Sequence, residues 1–326
     1  MGVCPHDAVS CSVLIDGDVL YTNTSNGVGG PPGAPWPEKH AYPVNPKASE
    51  FIALDKHTGK LLAYENEGIS RRIWHSEWSS PSLGVVNGKK LVFLGGGDGF
   101  CYAFEALADL PVKPVPLKLA WKYDCNPPEY RFPGGEPVEY YKGDKRQKYS
   151  TNKNDGQYVG PSQVIATPVF HDNRVYVAIG QDPAHGRGKG MLHCIDATQS
   201  GDVTKTACIW RYDGIERTLA TAAVADGLVY IPDLSGKVHC LDADTGEVYW
   251  VYDTGAETWG SVLVADGRLY LGNVRYLFTL KAGKETELLA KTRLGAPIYS
   301  TAVAANGTLF VATSRGLWAA EADPDN

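Results

Sequence analysis

The side chains most able to do chemistry gather at a few places in the chain. Asp7, His75, Glu77, Gln163, Glu216, Arg217 and Glu257 each stand just upstream of a short apolar run, with Trp78, Trp259 and Tyr299 beside them. A second group, Asp182, His185, Arg187 and Lys189, falls within one glycine-rich stretch. Carboxylates and a histidine next to aromatic rings suit a polar ligand with a flat or sugar-like face. His75 and Glu77 are also of the right type for proton transfer, as a polysaccharide hydrolase or lyase would need. A metal site in 182–189 would need ligands from elsewhere, and no spacing in the sequence specifies them. Each residue has a plainer reading as well. Trp78 and Trp259 would serve to fill a channel, His75 to make a structural hydrogen bond, and Glu216–Arg217 to form an exposed ion pair worth little.

Other motifs carry less. Gly95–Gly99 looks like a phosphate loop, but no helix pattern follows to supply the positive end that phosphate sites use, so a tight turn is expected. The seven cysteines show no C-x-x-C spacing; Cys4 and Cys11 are the best disulfide candidates, and Cys194 and Cys240 read as buried packing thiols. Asn23-Thr24-Ser25 and Asn306-Gly307-Thr308 match the glycosylation pattern. Residues 140–153 combine five Lys/Arg with three tyrosines, a composition that fits a solvated loop or a docking patch for an acidic partner.

The elements that position these groups follow from an internal repeat. A strand, a tight Asp-Gly-type turn and a second apolar strand recur six times, with turns at Asp16-Gly17, Asn87-Gly88, Asp172-Asn173, Asp226-Gly227, Asp266-Gly267 and Asn306-Gly307. Such turns between β-branched runs are strong hairpin signals because their central residues need positive φ. The last three turns lie 40 residues apart. A third strand ends in a small residue, a bulky one and usually an acid, as in Ala53-Leu54-Asp55, Ala103-Phe104-Glu105, Cys194-Ile195-Asp196 and Cys240-Leu241-Asp242. A fourth carries an aromatic stripe, Trp121-Lys-Tyr123, Trp210-Arg-Tyr212 and Trp250-Val-Tyr252. Four strands per unit of 40 residues is the arithmetic of a β-propeller blade. The expected fold is all-β, a single propeller over residues 1–326 with six four-stranded antiparallel blades visible.

The pattern Asp242-x-x-Thr245-Gly246-x-x-x-Trp250 resembles the repeat of quinoprotein-type (PQQ-repeat) propellers; it differs from WD and kelch repeats. Lys281 and Ala290 replace the acid and the Trp in the fifth copy, Ala63 stands at the Trp position of the first, and the sixth stops after its third strand. Rings of this type often have seven or eight blades, so the resemblance implies a ring short of one or two N-terminal blades, or six blades closing imperfectly. It also implies two functions. One is a ligand- or protein-binding scaffold without cofactor, as in envelope assembly, with a protein or carbohydrate partner. The other is a PQQ-dependent alcohol or sugar dehydrogenase holding PQQ with Ca²⁺. Against the second, the adjacent cysteine pair of the alcohol dehydrogenases is missing and no calcium-ligand set can be matched. Secreted bacterial relatives point to the periplasm or cell exterior, although Met1–His6 opens no signal peptide.

In such a blade the first-to-second and third-to-fourth turns lie on one face, and the remaining connections lie on the other. The long insertions, 26–48, 126–161 and 180–190, all fall on the second face, where binding residues are expected. The aligned hydroxyls Ser12, Ser80, Thr167, Thr221, Ser261 and Thr301 mark the central funnel, with Ser10, Trp78, Ile165, Leu219, Trp259 and Tyr299 two residues earlier. The formal net charge of −6 argues against nucleic acid, and no apolar run is long enough to span a bilayer.

Overall fold

A computed structural model describes residues 2–6, 11–29, 42–43, 45–143, 145–146, 161–181 and 188–321. The six hairpins form as the alternating apolar runs require. Five of them turn on the residues read from the sequence, and both turn residues have positive φ, as at Asn87 (49°) and Gly88 (78°). The first hairpin differs. Asp16 pairs with Val19, so its turn is Gly17-Asp18 rather than Asp16-Gly17, and only the glycine takes positive φ.

Each hairpin extends to a sheet. The fourth blade, Ala223–Ala225, Leu228–Pro232, Lys237–Asp242 and Val248–Asp253, is the regular case. The third, fourth and fifth blades have four strands. The first and second gain a fifth, parallel strand at the rim, Val115–Pro116 and Gly201–Asp202. The sixth has three strands. The acids closing the third strands cap the following turn. Asp55 Oδ1 accepts from the amides of His57 and Thr58, and Asp242 Oδ1 accepts from those of Asp244 and Thr245. Gly96–Gly99 is a tight turn, closed by the Gly99 amide on the Gly96 carbonyl at 2.9 Å.

Blades are held together by apolar clusters, one per junction. Tyr21, Phe51, Val92 and Tyr102 join the first to the second, Phe93, Trp121, Val175 and Ile195 the second to the third, and Tyr176, Trp210, Val229 and Leu241 the third to the fourth. Two more clusters continue to the sixth blade. The aromatic stripe belongs to these junctions. The indoles of Trp121, Trp210 and Trp250 donate to the carbonyls of Ala197, Ala243 and Gly283 in the following blade, at 3.1, 3.0 and 2.9 Å. Cys194 and Cys240 are buried at the small position opposite these indoles.

Among the described residues no such cluster joins the sixth blade to the first. Val13 and Ile15 of the first are each 55% exposed, and Val303 and Leu317 of the sixth are 56% and 68% exposed. The described blades therefore form an arc with an apolar surface at both ends. The chain also departs from expectation at the cysteines, since Cys4 and Cys11 are free thiols. At the first glycosylation motif, Asn23 is buried and its amide donates to the Ser79 carbonyl at 2.7 Å, so it is a structural residue.

Candidate functional site at the loop-rich face

The second-to-third loops and the blade-to-blade connections are braced together on one face. Backbone bridges link Gly27 to Ser76, Gln163 to Gly180 and Lys189 to Glu216, in each case a loop to a connection. These crossings need glycine. A Cβ at Gly180 would lie 1.9 Å from the Thr218 carbonyl oxygen, and one at Gly190 would lie 2.1 Å from that of Glu216. The residues just before the innermost strands are thereby set on a stiff frame.

The hydroxyls seen in the sequence form part of that frame. The Thr167 amide donates to Thr221 Oγ1 (3.1 Å), the Thr221 amide to Ser261 Oγ (2.9 Å) and the Ser261 amide to Thr301 Oγ1 (2.9 Å). Ser12 likewise donates its amide to Ser80 Oγ at 2.9 Å. The hydroxyls of Ser80, Thr221, Ser261 and Thr301 thus stitch their blades to the ones before them. Two residues upstream, Trp78, Ile165, Leu219 and Trp259 are half-buried and Tyr299 is exposed.

The predicted site residues separate into two groups. On the side of the first three blades, His75 is buried and makes a structural hydrogen bond. Its Nε2 lies 2.7 Å from Nε2 of His6, so one imidazole donates and the other accepts. The Trp78 ring stands edge-on to His75 with centroids 4.7 Å apart. Gln163 reaches the same place and donates to the Ser76 carbonyl at 3.3 Å. Arg217 is only 1% exposed, which rules out the exposed-pair reading; its Nε donates to Ser162 Oγ at 2.8 Å and its guanidinium lies over the Tyr130 ring. Glu216 is held at its backbone by Asp233.

On the side of the last three blades, Trp259 and Tyr299 meet edge to face at 5.2 Å, and the Trp259 indole points to Glu257 Oε2 at 3.4 Å. Glu257 is exposed and Tyr299 is 46% exposed. This trio is open to a partner. Asp7, Asp182 and His185 lie outside the described residues.

Glu77 does not face the funnel. It is fully buried in the second blade, with Oε2 accepting from the Gly97 amide (2.6 Å) and Oε1 from the Ser79 amide (3.3 Å). Burial holds its carboxyl well above the ordinary range. It closes a buried acidic network that sequence reading missed. Glu50 Oε1 accepts from Asn26 Nδ2 at 3.2 Å and from Ser70 Oγ, and burial raises its pKa to about 8. Glu65 takes the amides of Glu50 and Glu67. Asp98 Oδ2 binds Arg72 and the Tyr102 hydroxyl at 2.9 and 2.7 Å. The only available signal was the placement of Glu50 just before one strand and Glu65 just after its antiparallel neighbour, which brings both to the same end of the pair, where a buried carboxylate can cap free amides.

A calcium–quinone site would need six or more oxygens around the ion. Glu50, Glu65, Glu77 and Asp98 instead direct their oxygens to amides, hydroxyls and Arg72 of the chain itself. These residues do not fit such a site, and no group of three or more His, Cys, Asp or Glu among the described residues is placed to hold a metal ion. No described helix is long and apolar enough to cross a membrane.

Comparison with known proteins agrees with the repeat. Residues 188–286 match the sequence model of the family described as outer membrane protein assembly factor BamB. The crystal structure of BamB from Moraxella catarrhalis aligns with a TM-score of 0.57 at 12% identity, over 94% of this chain and 70% of that one. The computationally designed Ika8 protein aligns with a TM-score of 0.56 at 10% identity over the same shares. No curated protein matches the chain. At these identities the structures speak for the fold alone, and the matched segment identifies the repeat as the PQQ type.

Proposed function

From a chain built of PQQ-type propeller repeats, we propose a protein-binding scaffold whose partner docks on the loop-rich face. The observation that carries this reading is the trio Glu257, Trp259 and Tyr299. Two aromatic rings and a carboxylate stand partly exposed on connections that hydrogen bonds hold in place. Aromatic anchors on a rigid frame are what protein interfaces concentrate at their centres. Preorganisation lowers the ordering cost of binding. The family model matching 188–286 takes its description from an assembly factor, which supports a binding role. The setting we propose is the periplasm or the cell exterior.

The test compares the wild-type chain with a Trp259→Ala/Tyr299→Ala double variant. A partner retained by the first and released by the second, with the β-rich fold unchanged, supports the reading. A partner held equally by both, or binding to glycans rather than protein, contradicts it.

A further inference from the structure

The fifth blade reverses a charge that the three blades before it keep. Strand pairing aligns Ala290 with Trp121, Trp210 and Trp250. Three residues further on, where the outer strand ends, those blades carry Asp124, Asp213 and Asp253, and the fifth carries Arg293. In the second and third blades the aspartate holds a cation from a neighbouring loop. Arg131 meets Asp124 through two bonds of 2.7 Å, and the Lys189 ammonium lies 2.8 Å from Asp213.

The turn between the second and third strands changes in the same sense. Asn273 follows the second strand of the fifth blade, where Asp233 follows that of the fourth. Asn273 Oδ1 accepts the amides of Arg275 and Tyr276 at 2.8 and 2.7 Å, as Asp233 Oδ1 accepts those of Ser235 and Lys237 at 2.9 and 3.3 Å. The turn is capped in the same way and its charge is gone. Between it and the connection to the sixth blade lies a cavity of about 330 Å³, lined by Arg275, Tyr276, Arg293 and Pro297 among others, and by no acid. Lys291 adds a third cation, its ammonium 4.3 Å from the Tyr276 ring centroid. Both arginines are exposed, and among the described residues neither forms an ion pair. Cations gathered without a counter-charge repel one another, and an anion between them removes that cost.

We propose that this cavity is an anion subsite that takes a Glu or Asp side chain from the docking segment of the protein partner. The inference rests on the reading of the loop-rich face and adds the chemistry of the partner. The subsite belongs to the same frame as the aromatic trio. The Val274 amide donates to the Glu257 carbonyl and the Ile298 amide to the Asn273 carbonyl, each at 3.2 Å. The turn bearing Arg275 is thereby tied on one side to the connection of Trp259 and on the other to that of Tyr299. The volume is at the small end for ligand pockets and suits one or two side chains rather than a cofactor. Guanidinium groups match carboxylates in the two-bond geometry that Arg131 and Asp124 already show. A net charge of −6 works against a long polyanion such as nucleic acid, whose remaining charges would meet an acidic surface.

The probe is the capped peptide Gly-Glu-Glu-Gly, titrated into the full chain by calorimetry at low salt, with Gly-Gln-Gln-Gly and inorganic phosphate as comparisons. The glutamate peptide should bind about tenfold more tightly than either comparison, and Arg275→Gln/Arg293→Gln should remove the difference. Both side chains are exposed and unpaired, so this variant keeps the fold. Lys113→Gln/Lys205→Gln takes the same charge from exposed positions on the opposite face and should leave binding unchanged. Equal binding of the two peptides, phosphate binding as tight as that of the glutamate peptide, or equal loss in both variants overturns the proposal. A native partner released by Trp259→Ala/Tyr299→Ala yet held by Arg275→Gln/Arg293→Gln as firmly as by the wild type also overturns it, and leaves the docking reading intact. The peptide titration contains no native partner, so a docking reading that fails on the aromatic variant alone is told apart from a failure of the subsite.

Discussion

The Trp250 indole nitrogen lies 2.9 Å from the Gly283 carbonyl oxygen in the next blade. The bond crosses the junction beside two other polar ties, the Gly283 amide on the Tyr230 hydroxyl at 2.8 Å and the Thr221 amide on Ser261 Oγ at 2.9 Å, around an apolar cluster, so it helps fix the relative position of the two sheets. Trp250→Phe keeps most of the packing and leaves that carbonyl without the indole. It should cost about 1 kcal/mol. Trp250→Ala also opens a cavity and should cost about 3 kcal/mol. Denaturant titration separates the two values.

The hydroxyl stitching makes a more local claim. Ser261 Oγ accepts the Thr221 amide, while the Ser261 amide passes on to Thr301. Ser261→Ala removes only the first bond. A loss of about 1 kcal/mol is expected, with faster amide exchange at Thr221 and little change at Ser261.

The stiffness of the loop-rich face depends on close backbone crossings. Gly180→Ala would drive a methyl group into the Thr218 carbonyl. The bridge between Gln163 and Gly180 should open at a cost of about 1–3 kcal/mol. Limited proteolysis should then cut in this region before the rest of the chain.

Buried titratable groups give stability an opposed pH dependence. Glu50, raised by burial to about 8, keeps its proton in the folded state after the unfolded chain has lost it. Its contribution is complete at low pH and is lost as pH rises from about 4.5 to about 8, at up to about 1.4 kcal/mol per unit. His193 is lowered by burial to about 4. Its contribution is present above about pH 6.5 and is lost as pH falls toward 4. Melting curves across this range should show Glu50→Gln flattening the alkaline slope while the acid slope remains.

The repeat was legible because it is written in backbone chemistry. Asn87-Gly88 and Asp226-Gly227 demand positive φ, and small residues such as Cys194 and Cys240 predict room for an indole opposite. The first turn was misplaced by one residue because Asp16-Gly17-Asp18 offers two registers of the same chemistry. The site was harder to read. Glu77 is two residues from His75, a spacing that would put both on one face of a strand, yet the chain bends at 74–75 and the two side chains meet different partners. Its partner, the Gly97 amide, is 20 residues away in sequence. Arg217 looked exposed beside Glu216 because a buried guanidinium has no sequence signal of its own; Ser162 and Tyr130 reach it through long-range folding. His6 pairs with His75 across 69 residues, and no repeat position announces that contact.

The central claim is that the loop-rich face carries the partner. Its most direct test is a photo-crosslinking amino acid placed at Tyr299 and, separately, at Leu289 on the outer strand of the fifth blade, where exposure is the same at 46%. Irradiation in the native cell should join one defined protein to position 299 and leave position 289 free. A protein adduct at 289 and none at 299 would contradict the account.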